Sequence, residues 1–152
     1  METAKTPKPR VFIDSDVLFA GAASPNDHSA SLVILRMAEI TLINAITSEQ
    51  VVVEVERNLS RKIPTALPAF HLLLNHCLRI VPDPSAEEVR CAQKSAELKD
   101  LPILLAAARE ECSFLTTFNV RHFLPGLPKI AVLPPGELVM RVRYMLSQLQ
   151  KR

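Results

Sequence analysis

A chain of 152 residues that is 48% hydrophobic can bury one full core and is too short for a second domain of ordinary size. Its 18 basic and 16 acidic residues leave a formal charge of +2, which excludes a protein that coats nucleic acid through its overall field; phosphate contacts have to come from local clusters. Cys77, Cys91 and Cys112, without CxxC spacing, exclude a disulfide framework or a cysteine zinc site and read as reduced, packed thiols.

The polar start, with Pro7 and Pro9, holds no apolar stretch resembling a signal peptide, and no later run is long enough to cross a bilayer. The expectation is a cytoplasmic protein with a flexible segment over residues 1–9 and one domain over residues 10–150. Val11-Phe12-Ile13 is a β-prone run that stops at the carboxylate of Asp14, followed by a loop or short helix and a Ser24-Pro25-Asn26-Asp27 turn. Leu32, Leu35, Met37 and Ala38 recur at helical spacing and predict a helix over residues 29–40, with a second strand over residues 41–46. Ser48 is placed to cap a helix over residues 49–62 that Pro64 ends. A further helix over residues 68–77 leads to a strand over residues 78–81, then to the breaker Pro82-Asp83-Pro84 and a helix from Ser85 to about Leu98. Asp100 holds an N-cap position, because Pro102 falls in the first turn and the apolar run Ile103 to Ala108 follows. Residues 113–117 and 130–133 are the fourth and fifth strands, and Pro135 opens a terminal helix through Leu149. Short apolar strands alternating with helices predict a three-layer α/β domain, a mostly parallel five-stranded central sheet flanked by helices.

Ligands of such sheets collect beyond the carboxyl ends of the strands. Asp14 ends the first strand, Thr117 and Asn119 follow the fourth, Asp100 opens the helix before it, and Glu54 lies early in the helix after the second. Carboxylates converging in this way repel one another unless a hard divalent cation sits among them. Oxygen ligands without a His or Cys cluster favour Mg²⁺ or Mn²⁺ over zinc.

At these residues the chain resembles the PIN domain family, particularly the toxin nucleases of bacterial VapBC-type toxin–antitoxin modules. The resemblance runs from Arg10 to about Leu149. It is carried by Phe12-Ile13-Asp14-Ser15-Asp16-Val17-Leu18, by Ser48 through Leu59 with Glu54 in the acidic position, by Lys99-Asp100-Leu101-Pro102-Ile103-Leu104, and by Leu115-Thr116-Thr117-Phe118-Asn119. It implies hydrolysis of RNA phosphodiesters by Asp14, Glu54 and Asp100 as catalytic and metal-holding residues, with Asp16, Thr117 and Asn119 in support. It also implies a small antitoxin partner and a homodimer. Many relatives carry Asp where this chain has Asn119, and a neutral amide lends no charge to a second cation.

Plainer readings stand beside these. Glu56 rivals Glu54, and either could be a solvated helix residue. Arg57 and Arg61 lie three and seven residues after Glu54, on nearly the same helix face, where they could grip RNA phosphate or simply face water. His28, His71, His76 and His122 match no standard zinc spacing and receive no ligand role. Asp14-Ser15-Asp16 also fits the DxD motif of haloacid-dehalogenase-type phosphatases, which needs a late acidic pair, yet no Asp follows Leu115. A PIN-like module without activity, binding RNA or protein, is the remaining alternative.

Overall fold

The computed structural model describes residues 8–24, 28–92 and 94–150. Strand β1 (Arg10–Ile13) leads through helices α1 (Ser15–Ala23) and α2 (Ala30–Glu39) to β2 (Asn44–Ser48). Helix α3 (Glu49–Lys62), a 3-10 turn (Pro64–Ala66) and α4 (Leu67–Cys77) lead to β3 (Leu78–Val81). Helices α5 (Ala86–Cys91) and α6 (Leu101–Arg109) precede β4 (Phe114–Thr116), and a second 3-10 turn (Val120–Phe123), β5 (Ala131–Leu133) and α7 (Pro135–Leu149) complete the chain. The strands lie in the order β3-β2-β1-β4-β5, and every pair is parallel, so the mostly parallel sheet expected is wholly parallel.

β1 is central because its side chains suit burial on both faces: Val11, Phe12 and Ile13 are all fully buried, as an apolar run in a doubly covered parallel sheet should be. Helices α1 to α4 pack on one another and α7 joins them through α2, while α5 packs on α6, which lies against β2. Gly21 permits the close approach of α1 to α2, since a Cβ there would meet Leu35 Cδ1 at 2.6 Å. Among the described residues no helix is long and apolar enough to cross a membrane. Cys77 and Cys112 are buried as expected, whereas Cys91 is exposed on the short α5. The expected flexible start falls largely on residues 1–7, and the expected turn at Ser24 includes residues 25–27; both stretches lie outside the described residues.

Three expectations about element ends are corrected. Residues 41–43 are not strand: Thr41 takes φ 65° and closes α2 by donating to Ala38 O at 3.1 Å, while Leu42 N reaches Met37 O at 2.9 Å. That is the two-bond αL ending usually marked by glycine, built here on a β-branched residue and so invisible in the sequence. Glu111 (φ 57°) repeats it after α6. The helix from Ser85 stops at Cys91 rather than near Leu98, and residues 94–100 run through turns and bends. Ser48 stands at the N-cap of α3, but its hydroxyl makes no capping bond and is buried without a partner. Asp83 serves that helix end instead, accepting from Gln50 N at 2.9 Å.

Candidate functional site

The sheet order reverses at β1. The chain steps from β1 to β2 to β3 on one side and returns to place β4 and β5 on the other, which opens a crevice beyond the carboxyl ends of β1 and β4. The β1–β4 register pairs Ile13 with Thr116, setting Asp14 beside Thr117. Asp14 N donates to Thr116 O at 3.1 Å, so the first residue beyond the strand is still held by the ladder. Asp14 then caps α1, with Oδ1 accepting from Ser15 N at 2.7 Å.

Thr117 and Asn119 close over the two carboxylates that flank Ser15. The buried Thr117 hydroxyl donates to Asp14 Oδ2 at 2.8 Å and stands 3.3 Å from Asp16 Oδ2. Having one hydrogen, it favours the shorter bond. Thr117 Oγ1 also accepts from Asn119 N at 3.1 Å. Asp16 Oδ2 collects Phe118 N at 2.9 Å and Asn119 Nδ2 at 3.2 Å. Asn119 therefore uses its donor end on Asp16.

Asp100 arrives from the start of α6. It occupies the N-cap position, as expected, but in αR geometry and without a capping bond, so its carboxylate is free for other work. Asp100 Oδ2 and Asp16 Oδ1 are buried and lack hydrogen-bond partners. Glu54, half-buried one turn into α3, is coupled electrostatically to both Asp16 and Asp100. Its rival Glu56 instead pairs with His71 Nε2 at 3.3 Å. Arg57 and Arg61 line an open cleft with Glu54, Asn58 and Asp83.

The electrostatics agree with the geometry. Burial, then the Asp16 charge, pushes the Asp14 carboxyl from 3.8 to about 7, against the lowering effect of Thr117 and Ser15, with Asp100 adding to the rise. Burial raises Asp16 above its ordinary value despite the Phe118, Val17 and Thr117 bonds, and Glu54 adds to the rise. Burial also raises Asp100, opposed by Lys99 and His122 and assisted by Glu97 and Glu54. Several carboxyls that resist ionisation together, with orphaned oxygens among them, fit a hard divalent cation as the missing partner. Asp14, Asp16, Asp100, Thr117 and Asn119 thus stand together at one edge of the sheet with Glu54 nearby, while Arg57 and Arg61 share a cleft with Glu54 alone of these.

His122 and Glu97 were not among them. His122, in the 3-10 turn after Asn119, puts Nδ1 3.2 Å from Asp100 Oδ2 and 3.9 Å from Glu97 Oε2. Nothing in the spacing announces this, because Glu97 and Asp100 are separated from His122 by all of α6 and β4.

A PIN domain family profile matches residues 10–121, a stretch that holds every residue of this site except His122. The chain belongs to the PIN domain family. No curated protein matches it. Two solved structures share the PIN-like fold. The Pyrobaculum aerophilum protein PAE2754 superposes with a TM-score of 0.63 at 14% identity, covering 90% of this chain and 97% of its own. VapBC2 from Rickettsia felis, bound to a DNA fragment from its promoter, gives 0.60 at 18% identity, covering 81% of this chain and 96% of that one. At such identities these likenesses speak to the fold. The DxD resemblance of Asp14 and Asp16 to phosphatases stays confined to one segment of this PIN domain.

Proposed function

We propose that this PIN domain is a metal-dependent endoribonuclease and the toxin of a toxin–antitoxin pair, acting in the cytoplasm. The observation that carries the reading is the convergence of Asp14, Asp16 and Asp100, with Glu54 beside them, at the strand-order reversal, where burial and neighbouring carboxylates hold the three aspartates above their ordinary pKa. PIN domains are in general nucleases that use divalent metals, and the donor set is oxygen-rich, which suits Mg²⁺ or Mn²⁺. Such an ion, when bound, acidifies water for attack on phosphorus and stabilises the leaving oxygen.

In this reading Asp14, Glu54 and Asp100 hold the cation. Thr117 keeps Asp14 aimed by donating to Oδ2, and the Phe118 and Asn119 donors hold the Asp16 carboxylate in place beside it. Arg57 and Arg61, along the cleft from Glu54, orient the RNA backbone by contacts that carry no sequence information. A small antitoxin would silence the site by inserting an arginine among the carboxylates, and the toxin would work as a homodimer. The VapBC2 complex lends support to the antitoxin partner by analogy of fold. The competing reading, a PIN module that binds RNA or protein without cutting, draws on Asn119, whose neutral amide is engaged with Asp16.

The test is incubation of purified protein with structured RNA in Mn²⁺ or Mg²⁺, with and without EDTA, and with single-stranded DNA in parallel. Cleavage of RNA that stops in EDTA and returns with Mn²⁺ is expected. Cleavage unchanged by chelator, or a preference for DNA, would overturn the proposal.

A further inference from the structure

Two segments far apart in sequence are fastened together beside the carboxylate pocket. The turns before α6 meet the 3-10 turn after β4 through Glu97 N donating to His122 O at 2.9 Å, and a second bond joins Gly126 N to Ser95 O at 2.8 Å. His122 N also donates to Asn119 O at 3.0 Å, in the loop that grips Asp14 and Asp16. These bonds present one donor atom from each of Glu97, Asp100 and His122 within 4.8 Å of the others. Around a hard cation with bonds of about 2.1 Å, neighbouring donors stand about 3 Å apart and opposite ones about 4 Å. The distances of 3.2 and 3.9 Å from His122 Nδ1 to the two carboxylates fall in that range. Asp100 Oδ2 is buried with no hydrogen bond, the kind of unmatched acceptor that an ion satisfies.

We propose that Glu97, Asp100 and His122 form a second, nitrogen-containing divalent cation site adjoining the Asp14 pocket, with Asp100 shared between the two. This rests on the nuclease reading and adds to it a cation position that the neutral amide of Asn119, turned onto Asp16, does not provide. An imidazole in the donor set tilts selection toward Mn²⁺ and later transition metals and away from Mg²⁺, which keeps to oxygen. A plain ion pair between His122 and Asp100 is the competing account. Nδ1 stands 3.2 Å from Oδ2, within ion-pair range but without a hydrogen bond, and the two accounts part on whether added Mn²⁺ acquires a nitrogen ligand.

Titrating Mn²⁺ into the full chain by calorimetry, and reading the loaded protein by pulsed EPR for ¹⁴N coupling, tests the site without recourse to activity. Two Mn²⁺ per chain are expected, one of them coupled to an imidazole nitrogen. His122→Gln should abolish the coupling and one equivalent. Glu97→Gln alters a side chain that is 55% exposed, so folding is not at risk, and it should weaken that equivalent by about tenfold or more. No nitrogen coupling in the parent protein, coupling retained in His122→Gln, or unchanged affinities in Glu97→Gln would each overturn the proposal. Mn²⁺ bound through Asp14 alone, and lost in Asp14→Asn, would overturn this site while leaving the nuclease reading intact; no Mn²⁺ binding at all would remove both.

Discussion

Replacing Asp14 by Asn separates a carboxylate built for a cation from one built for the fold. The side chain is 5% exposed, and burial followed by the Asp16 charge takes its pKa from 3.8 to about 7. The folded-state pKa lies above the unfolded one, so the protonated carboxyl contributes stability that is fully present below pH 3.8 and lost as pH rises through about 7. At about 1.4 kcal/mol per tenfold change in proton affinity, ionising Asp14 in the metal-free folded protein costs at most about 4 kcal/mol. The introduced amide avoids that cost and strands no bond. Its oxygen can keep Ser15 N, its NH₂ can donate to Thr117 Oγ1, and the Thr117 hydrogen can turn to Asp16 Oδ2, already 3.3 Å away. Water entry and local relaxation absorb part of the difference, so Asp14→Asn should gain about 1–2 kcal/mol in EDTA at pH 8, or about 2–8 °C in Tm. Thermal melts from pH 4 to 8.5, with EDTA or Mn²⁺, read this directly. In EDTA the parent should lose stability toward pH 7 more steeply than the variant. In Mn²⁺ the order should reverse, because a ligand at a hundred times its Kd adds about 2.7 kcal/mol to the protein that binds it. A variant that melts below the parent in EDTA at pH 8, with the same pH slope, would refute the argument and leave Asp14 as a structural helix cap.

Glu54→Gln and Asp100→Asn should each lower RNA cleavage by about a hundredfold or more, as loss of transition-state stabilisation typically does. Glu56→Gln, on a side chain paired with His71, should stay near the parent rate, and the reverse ranking would transfer the role to Glu56. Asn119→Asp sets a like charge against Asp16, now 3.2 Å from the amide nitrogen. Its melting temperature should fall in EDTA while calorimetry shows tighter Mn²⁺ binding; equal or weaker affinity would count against a place for Asn119 near the cation. Thr41→Gly relieves a β-branched residue at φ 65° on the exposed end of α2 and should stabilise by about 1 kcal/mol in urea unfolding. No gain there would mean that local contacts already offset the strain.

Much of this fold is legible in the sequence because its signals are local. An apolar run stopping at Asp14, a proline just inside α6 and another opening α7 each mark an element end by chemistry that acts within a turn. Glycine and hydroxyl signals fail where the chain uses other residues for the same work. Thr41 and Glu111 adopt a glycine conformation, and Asp83, from beyond β3, does for α3 what Ser48 was placed to do. Asp14, Glu54 and Asp100 were readable as candidates because each stands beside a strand or helix end and because the order and spacing of the segments that hold them resemble the PIN pattern. The direction of Asn119 was not, since it depends on Asp16 lying across the crevice.

The placement of His122 shows why spacing alone underdescribes such a site. At the β1–β4 crevice, residues enter from segments on both sides of the strand-order reversal, so their sequence separations are large and carry no helical or hairpin periodicity. A donor becomes a neighbour of Asp100 only through the pairing of β4 with β1 and the backbone bond from Glu97 to His122. Spacing motifs for zinc detect ligands brought together by one local element, and they are blind to an imidazole delivered in this way. For the same reason the chemistry of the site depends on the turns at residues 94–100 and 119–123 as much as on the strands. A change that loosened the Gly126–Ser95 bond would move His122 away from Asp100 while leaving Asp14 on its ladder, altering the cation preference of the pocket before it altered the fold.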